Sequence, residues 1–491
     1  MIEQFFTTPL DPGKRLQQQI QERLIEAILA GALPLHEPLP ATRVMARRIG
    51  VARNTVTLVY ERLAEDGFLK PVNRRGYFIN ERTLREQLNI RMEHKEQRSD
   101  TFDATARLNR RFADQTSIVK ASNWRDYEFP FVYGQLIPDK VSVSRWRDAV
   151  RLAGTTQHTP SWVFDQVDGD DPMLVEHIIR RILPQRGFRA TPEEILVTVG
   201  AQNALFTAAM AFCGPGKRVD VEDPGYVDAH NIFRGFGAEI RPHPIDGNGL
   251  KVSPALAGAD LVYVTPGHQC PTNVTMGMER RLSLLTAAET HDFLIIEDDY
   301  EHELNFVGAQ KPALKALDER GRVIHVSSLT KPLFPGLRLG FIAATPPIIR
   351  HLRALRRLIC RHPSALDQRA LAIFLAEGHY DAHIRRHRAE LSAKWRLMLS
   401  EIHRQMPECS VTMTTGGSGL WLRLPEDLRA TTVQAEAARH GILVEAGDVH
   451  YLKDDAPTNR LRLGFAAIPK DRITPGIARL AATIASLRGL A

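Results

Sequence analysis

Lys331 stands in the stretch Ser327-Ser328-Leu329-Thr330-Lys331-Pro332-Leu333-Phe334-Pro335-Gly336-Leu337-Arg338-Leu339-Gly340, one lysine among small hydroxyl residues just after the apolar run Val323, Ile324 and Val326. That run reads as a buried strand. An amine held in an apolar site loses part of its proton affinity, and the unprotonated amine is the nucleophile that forms a Schiff base with an aldehyde. Ser328 and Thr330 offer hydroxyl donors, and Arg338 presents a planar fork that matches a phosphate bidentately. An aldehyde with a phosphate handle fits this set. A lysine followed by proline and a Pro-Gly turn also suits a solvated loop, so this stretch by itself leaves both readings open.

A second cluster bears on the choice. Phe293-Leu294-Ile295-Ile296 is another short apolar run, with Glu297-Asp298-Asp299-Tyr300 at its carboxyl end. Pyridoxal phosphate (PLP) joins an aldehyde and a phosphate to a pyridine ring, and a carboxylate facing the ring nitrogen keeps it protonated and electron-withdrawing. Asp298 suits that task, and Tyr300 suits a hydrogen bond to the ring phenolate. Glu301, His302 and Glu303 add metal-ligand types, but side chains this crowded along one strand and turn point in different directions, and no second cluster completes a coordination set. Gly200-Ala201-Gln202 opens a helix directly after the strand pattern Ile195–Val199, which exposes backbone N–H groups at the positive end of a helix dipole and makes a phosphate seat. Many such turns need glycine for geometry alone. Tyr226, at the end of Val219–Gly225, suits stacking on a flat ring and equally suits a core position.

These residues need a frame that brings strand ends together. Short apolar runs at 195–199, 219–223, 261–264, 293–296 and 323–326, separated by helical patterns such as Leu174, Ile178 and Ile182, predict a mostly parallel sheet covered on both faces. Ligands in such sheets gather beyond the carboxyl ends of the strands.

The first eighty residues follow another pattern. Leu16, Ile20, Leu24 and Ile28 form a stripe on one helix; a short helix over residues 39–50, closed by Gly50, would turn Val44 and Ile49 inward; a third helix, 53–66, would bury Val56, Val59, Tyr60 and Leu63. Arg53, Asn54, Thr55 and Thr57 remain at its exposed start, the layout of a recognition helix. Two strands, 68–72 and 76–79, flank the basic tip Asn73-Arg74-Arg75. Three helices and a basic hairpin make a winged helix-turn-helix whose arginines fall where a duplex would lie. Arg53 and Asn54 suit base edges, whereas Arg43, Arg74 and Arg75 suit phosphates. Trihelical units also serve as protein-interaction modules.

The chain of 491 residues, 43% hydrophobic and 25% charged with a net charge of +7, has room for two to four domains and excludes a wholly disordered protein. Residues 80–125 carry mixed charge and few apolar side chains, which reads as a linker between a DNA-binding domain at 1–79 and a large domain at 126–491. The four cysteines, 213, 270, 360 and 409, are scattered as reduced thiols would be. No signal-peptide or membrane-spanning run is apparent, so a cytoplasmic protein is expected.

The segment Leu39–Ile79 resembles the DNA-binding domain of GntR-superfamily repressors, which implies Arg43, Arg53, Asn54, Thr55 and the Gly76 wing as contacts to double-stranded DNA. Asp298, Tyr300, Lys331 and Arg338, in this order with Gly200-Ala201-Gln202, Glu222-Asp223-Pro224-Gly225-Tyr226 and Thr265-Pro266-Gly267-His268-Gln269, resemble the active-site set of fold type I PLP enzymes. The whole chain thus looks like a MocR-type transcriptional regulator. The resemblance implies an α/β aminotransferase-like domain with a small α+β C-terminal subdomain, a homodimer, and PLP bound through an aldimine at Lys331. It implies Asp298 at the ring nitrogen, Tyr300 at the phenolate, Arg338 and Ser328 at the phosphate, and Tyr226 against the ring. It implies Arg462 for an effector carboxylate, with Arg460 on the same strand face as the alternative. The function implied is regulation in response to PLP or an amino compound, the rival being a working aminotransferase with a DNA tether. Two segments depart from the family pattern. Cys270 and Asn273 replace an aromatic and a glycine, and Phe164–Pro172 lacks an expected tyrosine and second glycine.

Overall fold

The computed structural model describes residues 11, 13, 15–73, 75–81, 104–108, 112–132, 134, 136–453 and 455–489. Arg74 and most of the charged stretch after Asn80 lie outside the described residues. The chain divides into two compact units, 1–109 and 110–491.

In the N-terminal unit, helices α1 (Leu16–Leu29), α2 (Thr42–Ile49) and α3 (Arg53–Glu65) precede an antiparallel hairpin of β1 (Leu69–Val72) and β2 (Gly76–Ile79). The third helix buries Val56, Val59, Tyr60 and Leu63, as its spacing predicts. The inward face of α2 differs from expectation. Because the helix begins only at Thr42, its core-facing row is Met45, Ala46 and half-buried Ile49, and Val44, turned about 100° away, is 43% exposed. Leu16, at the open first turn of α1, is 40% exposed as well. Gly50 ends α2 in the left-handed region at φ 71°, where its N–H reaches Ala46 O and turns the chain into α3.

The second unit is built on an eight-stranded sheet. Its strands are β4 (Ile195–Thr198), β5 (Arg218–Asp223), β6 (Glu239–Asp246), β7 (Gly249–Leu250), β8 (Leu261–Val264), β9 (Leu294–Asp299), β10 (Val323–Ser328) and β11 (Gly340–Ala343), preceded in sequence by the two-residue β3 (Phe129–Pro130). The spatial order is β4-β11-β10-β9-β8-β5-β6-β7, parallel from β10 through β6, with β11 running against both neighbours. Leu196, Ile296, Ile324 and Ile342 pack on one face with the helices Gly200–Phe212 and Val227–Gly235; Val197, Phe341, Ile295 and Val323 pack on the other. Burial on both faces is why these strands read as unbroken apolar runs.

A smaller sheet of β12 (Ser410–Val411), β13 (Gly419–Arg423), β15 (Glu445–Ala446) and β16 (Arg460–Gly464) carries the helices His379–Gln405, Ala430–Arg439 and Lys470–Leu487 around its own core, while β14 (Ile442–Leu443) pairs with β3. The helix expected over 174–183 is regular only from Pro172 to His177 and continues as a wider turn through Ile182; Pro184, with no N–H to donate, ends the ladder.

Leu63 is fully buried in the three-helix core. Leu63→Ala is expected to destabilise the N-terminal unit by about 2–5 kcal/mol, measurable as faster hydrogen exchange along α3. Unchanged exchange would contradict this packing.

Candidate functional site

The parallel strands end on one side of the large sheet, and there Lys331, Asp298, Tyr300, Ser328, Arg338, Tyr226 and Arg462 line a cavity of about 340 Å³. Asp298 ends β9 with its side chain buried. Its Oδ2 accepts a hydrogen bond from Tyr263 Oη on the neighbouring strand at 2.9 Å, and its Oδ1 is buried without a hydrogen-bond partner. Burial pushes the carboxyl up to about 6, against the pull of the Tyr263 bond and the Lys331 charge. A buried carboxylate oxygen lacking a donor fits a ligand N–H⁺, as the ring nitrogen of PLP would supply.

The anion seat is equally specific. The helix Gly200–Phe212 points its N-terminus, with first-turn N–H groups outside the helical ladder, at the cavity. A Cβ at Gly200 (φ 73°) would stand 2.8 Å from Arg338 Nη2, so only glycine lets the guanidinium lie over that turn. Arg338 itself is held in the left-handed region at φ 51°. Ser328 lines the cavity, and its hydroxyl accepts from the Lys331 N–H at 3.2 Å. Thr330 does not join this seat. Its hydroxyl bonds both backbone groups of Leu339, at 3.2 and 3.1 Å, and closes the Lys331 loop. Helix N-terminus, hydroxyl and guanidinium together fit a phosphate.

Lys331 is not in the apolar site that its flanking strand suggests. Its Nζ lies 3.2 Å from Glu301 Oε1 and 3.8 Å from the centre of the Tyr300 ring. Although burial acts to raise Glu301, the Lys331 charge and the Ser418 hydroxyl hold its carboxyl below the ordinary range. The aromatic face and the carboxylate give the ammonium a defined resting place. The Tyr226 hydroxyl lies 2.9 Å from Gln202 Oε1 and 3.1 Å from Asp228 Oδ2, its one proton serving either acceptor, so the position that also suits a core tyrosine lies in the cavity wall.

Arg462, fully buried on β16, lines the cavity; half-buried Arg460, two residues back, bonds Asn459 instead. Arg462 Nη1 is 3.5 Å from Glu445 Oε1, which also meets His450 Nε2 at 3.0 Å, and Arg462 Nη2 is 3.8 Å from Cys270 Sγ. The bond to His450 and the Arg462 charge overcome burial and hold Glu445 at about 2. Cys270 is buried and its thiol is pushed up to about 11, so it acts as a small apolar wall. Asn273 adopts φ 60°, which asparagine tolerates better than most residues and which explains how it replaces a glycine.

Sequence reasoning missed several residues of the site. Tyr263 lay within an apolar strand run with nothing to mark its hydroxyl. Glu301 stood out only as a metal-ligand type. Ile118 and Lys120, within the stretch read as linker, line the cavity. Among the described residues, no group of three or more His, Cys, Asp or Glu could hold a metal ion.

In the N-terminal unit Arg43, Arg53 and Asn54 are exposed and Thr55 is half-buried at the start of α3. Arg47, one turn after Arg43 on the same face of α2, is exposed too and belongs with this basic surface. In the wing, Gly76 takes φ 100°, and Arg75 lies over the Phe78 ring at 5.4 Å.

The bacterial regulatory proteins of the gntR family match residues 16–79, and the class I and II aminotransferases match residues 167–480. The HTH-type transcriptional regulator TauR of Rhodobacter capsulatus is 37% identical over 98% of both chains. The probable rhizopine catabolism regulatory protein MocR of Rhizobium meliloti is 29% identical over 97% of this chain and 95% of its own. Among solved structures, a kynurenine aminotransferase from Pyrococcus horikoshii, in complex with PMP, shares 25% identity with a TM-score of 0.69 over 79% of this chain and 97% of that one.

Asp298, at about 6 in the fold, sits above the ordinary carboxylate value of about 3.9. Between those values the native state binds more protons than the unfolded chain, so this group's contribution is full below the lower value and is lost as pH rises through the upper one. Glu222 at about 7 and Glu303 at about 8, both raised by burial, act in the same direction. Asp298→Asn is therefore expected to flatten part of the stability loss between about pH 4 and pH 7 in cofactor-free protein, measured by urea midpoints. Equal slopes for variant and wild type would exclude a raised Asp298.

Proposed function

The chain belongs to the MocR-type transcriptional regulators, which join a gntR-family helix-turn-helix unit to a class I and II aminotransferase domain, and from that premise we propose that it senses PLP or an amino compound at Lys331 and reports occupancy to DNA. The observation that carries this reading is the Asp298 oxygen buried without a donor in the same cavity as Lys331 and Arg338. Bound there, PLP supplies an aldehyde that condenses reversibly with primary amines and a ring that withdraws electrons. Asp298 would hold the ring nitrogen, Tyr300 the phenolate, and Ser328, Arg338 and the Gly200-Ala201-Gln202 turn the phosphate. Tyr226 would flank the ring, and Glu301 would hold the ammonium of Lys331 when that amine is not engaged.

The regulatory consequence needs two arrangements of the protein, one favoured by ligand, and a differential affinity of a few kcal/mol moves most of the population. The protein acts as a homodimer whose two winged helices read two half-sites on double-stranded DNA, with Arg53, Asn54 and Thr55 at base edges and Arg43, Arg74, Arg75 and the Gly76 turn on the backbone. A cytoplasmic location suits this role. No helix among the described residues is long and apolar enough to cross a membrane.

Borohydride reduction of purified protein is expected to fix the cofactor on Lys331 in peptide maps, and Lys331→Ala to abolish both the label and the response of operator binding to PLP. Operator affinity identical with and without PLP in both proteins would end the sensing reading. Arg53→Ala is expected to relax sequence preference. Arg75→Ala is expected to weaken binding to all sequences alike and to make the salt slope shallower by about 0.9 log units for each phosphate that is no longer neutralised. Equal behaviour of the two variants in binding titrations would undo this division of roles.

A further inference from the structure

A second cavity, of about 360 Å³, shares no lining residue with the one that Lys331 lines. It is formed by the segment Ile178–Arg186, the turn His302–Leu304 and the first turns of the helix His379–Gln405. Its rim is cationic. Arg385 and Arg388, three residues apart and so neighbours on one helix face, are exposed, and neither forms an ion pair with a described residue. Arg181 bonds the Leu375 carbonyl and stands 3.8 Å from Asp381, the opposing charge of the rim.

The floor is a buried acid. Glu303 Oε1 accepts from Tyr380 Oη at 3.2 Å and lies 3.3 Å from His302 Nε2, whereas Oε2 is buried without a hydrogen-bond partner. Burial, with the neighbouring Asp299 charge, pushes this carboxyl up to about 8 against the Tyr380 bond and the Arg186 charge, and burial lowers His302 to about 3. Below about 8 the acid keeps its proton. Because Oε1 already accepts, that proton belongs on Oε2 and makes it a donor. Three guanidinium groups and an O–H against one carboxylate suit an anion and repel an amine.

Two contacts join these walls to the loop that carries Lys331. His383, on the same helix as Arg385 and Arg388, donates from Nε2 to Pro332 O at 2.7 Å, one residue beyond Lys331. Glu303 follows Glu301 by two residues in a turn closed by the Leu304 N–H on Glu301 O at 3.0 Å, and Glu301 Oε1 lies 3.2 Å from Lys331 Nζ. The acid at the floor of one cavity and the acid beside Lys331 thus belong to a single turn.

We propose that this second cavity is a binding site for a small anion, a carboxylate or a phosphate ester, and that its occupancy is felt at the Lys331 loop. The binding stands apart from the cofactor reading, and the transmission rests on it. Transmission requires that the anion favour one arrangement of the shared turn over another.

Calorimetric titration of the full-length protein with succinate, glycerol 3-phosphate and inorganic phosphate at constant ionic strength tells the two sources apart. At least one is expected to bind saturably. Arg385→Gln and Arg388→Gln, both at exposed positions, are each expected to weaken it about tenfold, the loss of one charge-assisted contact, whereas Arg338→Gln, in the Lys331 cavity, is expected to leave it unchanged. Succinate binding is expected to weaken as pH rises through about 8, where Glu303 ionises. Of the groups that face Glu303, His302 and Asp299 titrate far below that range, Tyr380 far above it, and Arg186 stays charged; Asp381, Arg181, Arg385 and Arg388 keep their charges as well. Glu303→Gln, which keeps a donor and cannot ionise, is expected to bind evenly across that range. No saturable binding of any of the three anions, or isotherms unchanged in both Arg385→Gln and Arg388→Gln, would overturn the site, and a parallel pH dependence in Glu303→Gln would remove Glu303 from it. In PLP-loaded protein the anion is expected to move the pH midpoint of the cofactor absorbance in wild type and not in the protein carrying both Arg385→Gln and Arg388→Gln. An unmoved midpoint with anion bound would overturn the transmission, whereas absence of a cofactor band would remove the cofactor reading beneath it and leave the calorimetry to decide the site.

Discussion

A carboxylate kept inside a protein needs partners, because desolvation of an unpaired charge outweighs most single contacts. Asp298 and Asp299 meet this constraint in opposite ways, since successive strand residues point to opposite faces. Asp299 turns away from the cavity to Arg186, which donates from Nε at 2.5 Å and Nη2 at 3.1 Å; burial works against this pair, yet the guanidinium holds the carboxyl well below the ordinary range. Asp298 turns into the cavity with one donor, Tyr263, and burial raises its carboxyl to about 6. One strand end thus carries a paired carboxylate that anchors the sheet and an incompletely paired one that faces the cavity.

Close backbone approach holds the opposite side of the cavity. A Cβ at Gly340 would stand 2.6 Å from Ser327 O and 3.0 Å from the Gly200 carbonyl carbon, so β11 can be inserted between β4 and β10 only with glycine there. That insertion brings the Gly200 helix beside the loop that carries Lys331 and Arg338. The strained φ of Arg338 and the bonds from Thr330 to Leu339 keep this loop folded back on itself. Glycine, arginine and threonine in one stretch therefore answer a single geometric demand, the approach of a helix N-terminus to a lysine-bearing loop.

What the sequence made legible follows the period of the side chains. Strands β8, β9 and β10 were visible because both faces are buried, and α3 because four core residues recur at helical spacing over thirteen positions. The short α2 was misjudged by one position, since eight residues contain too few turns for periodicity to set the phase. The motif residues around Lys331 and Asp298 were readable from residue type near strand ends. Tyr263 and Lys120 were not, because their places in the cavity arise from contacts across strands or from distant segments, and nothing in a strand such as Leu261–Val264 distinguishes a tyrosine that packs from one that also donates to the next strand.

The Lys331–Glu301 pair bears on how a site built for turnover and one built for sensing would differ. A site built for rapid turnover gains from a lysine that loses its proton readily, because the free amine must act again in each cycle. A site built to report concentration gains from balance, with the liganded and unliganded forms close enough in free energy that occupancy follows the effector. Glu301, held by Ser418 and facing Lys331 beneath the Tyr300 ring, stabilises the lysine as an ammonium. That pairing gives the ammonium a fixed partner inside the cavity that Asp298 and Arg338 also line.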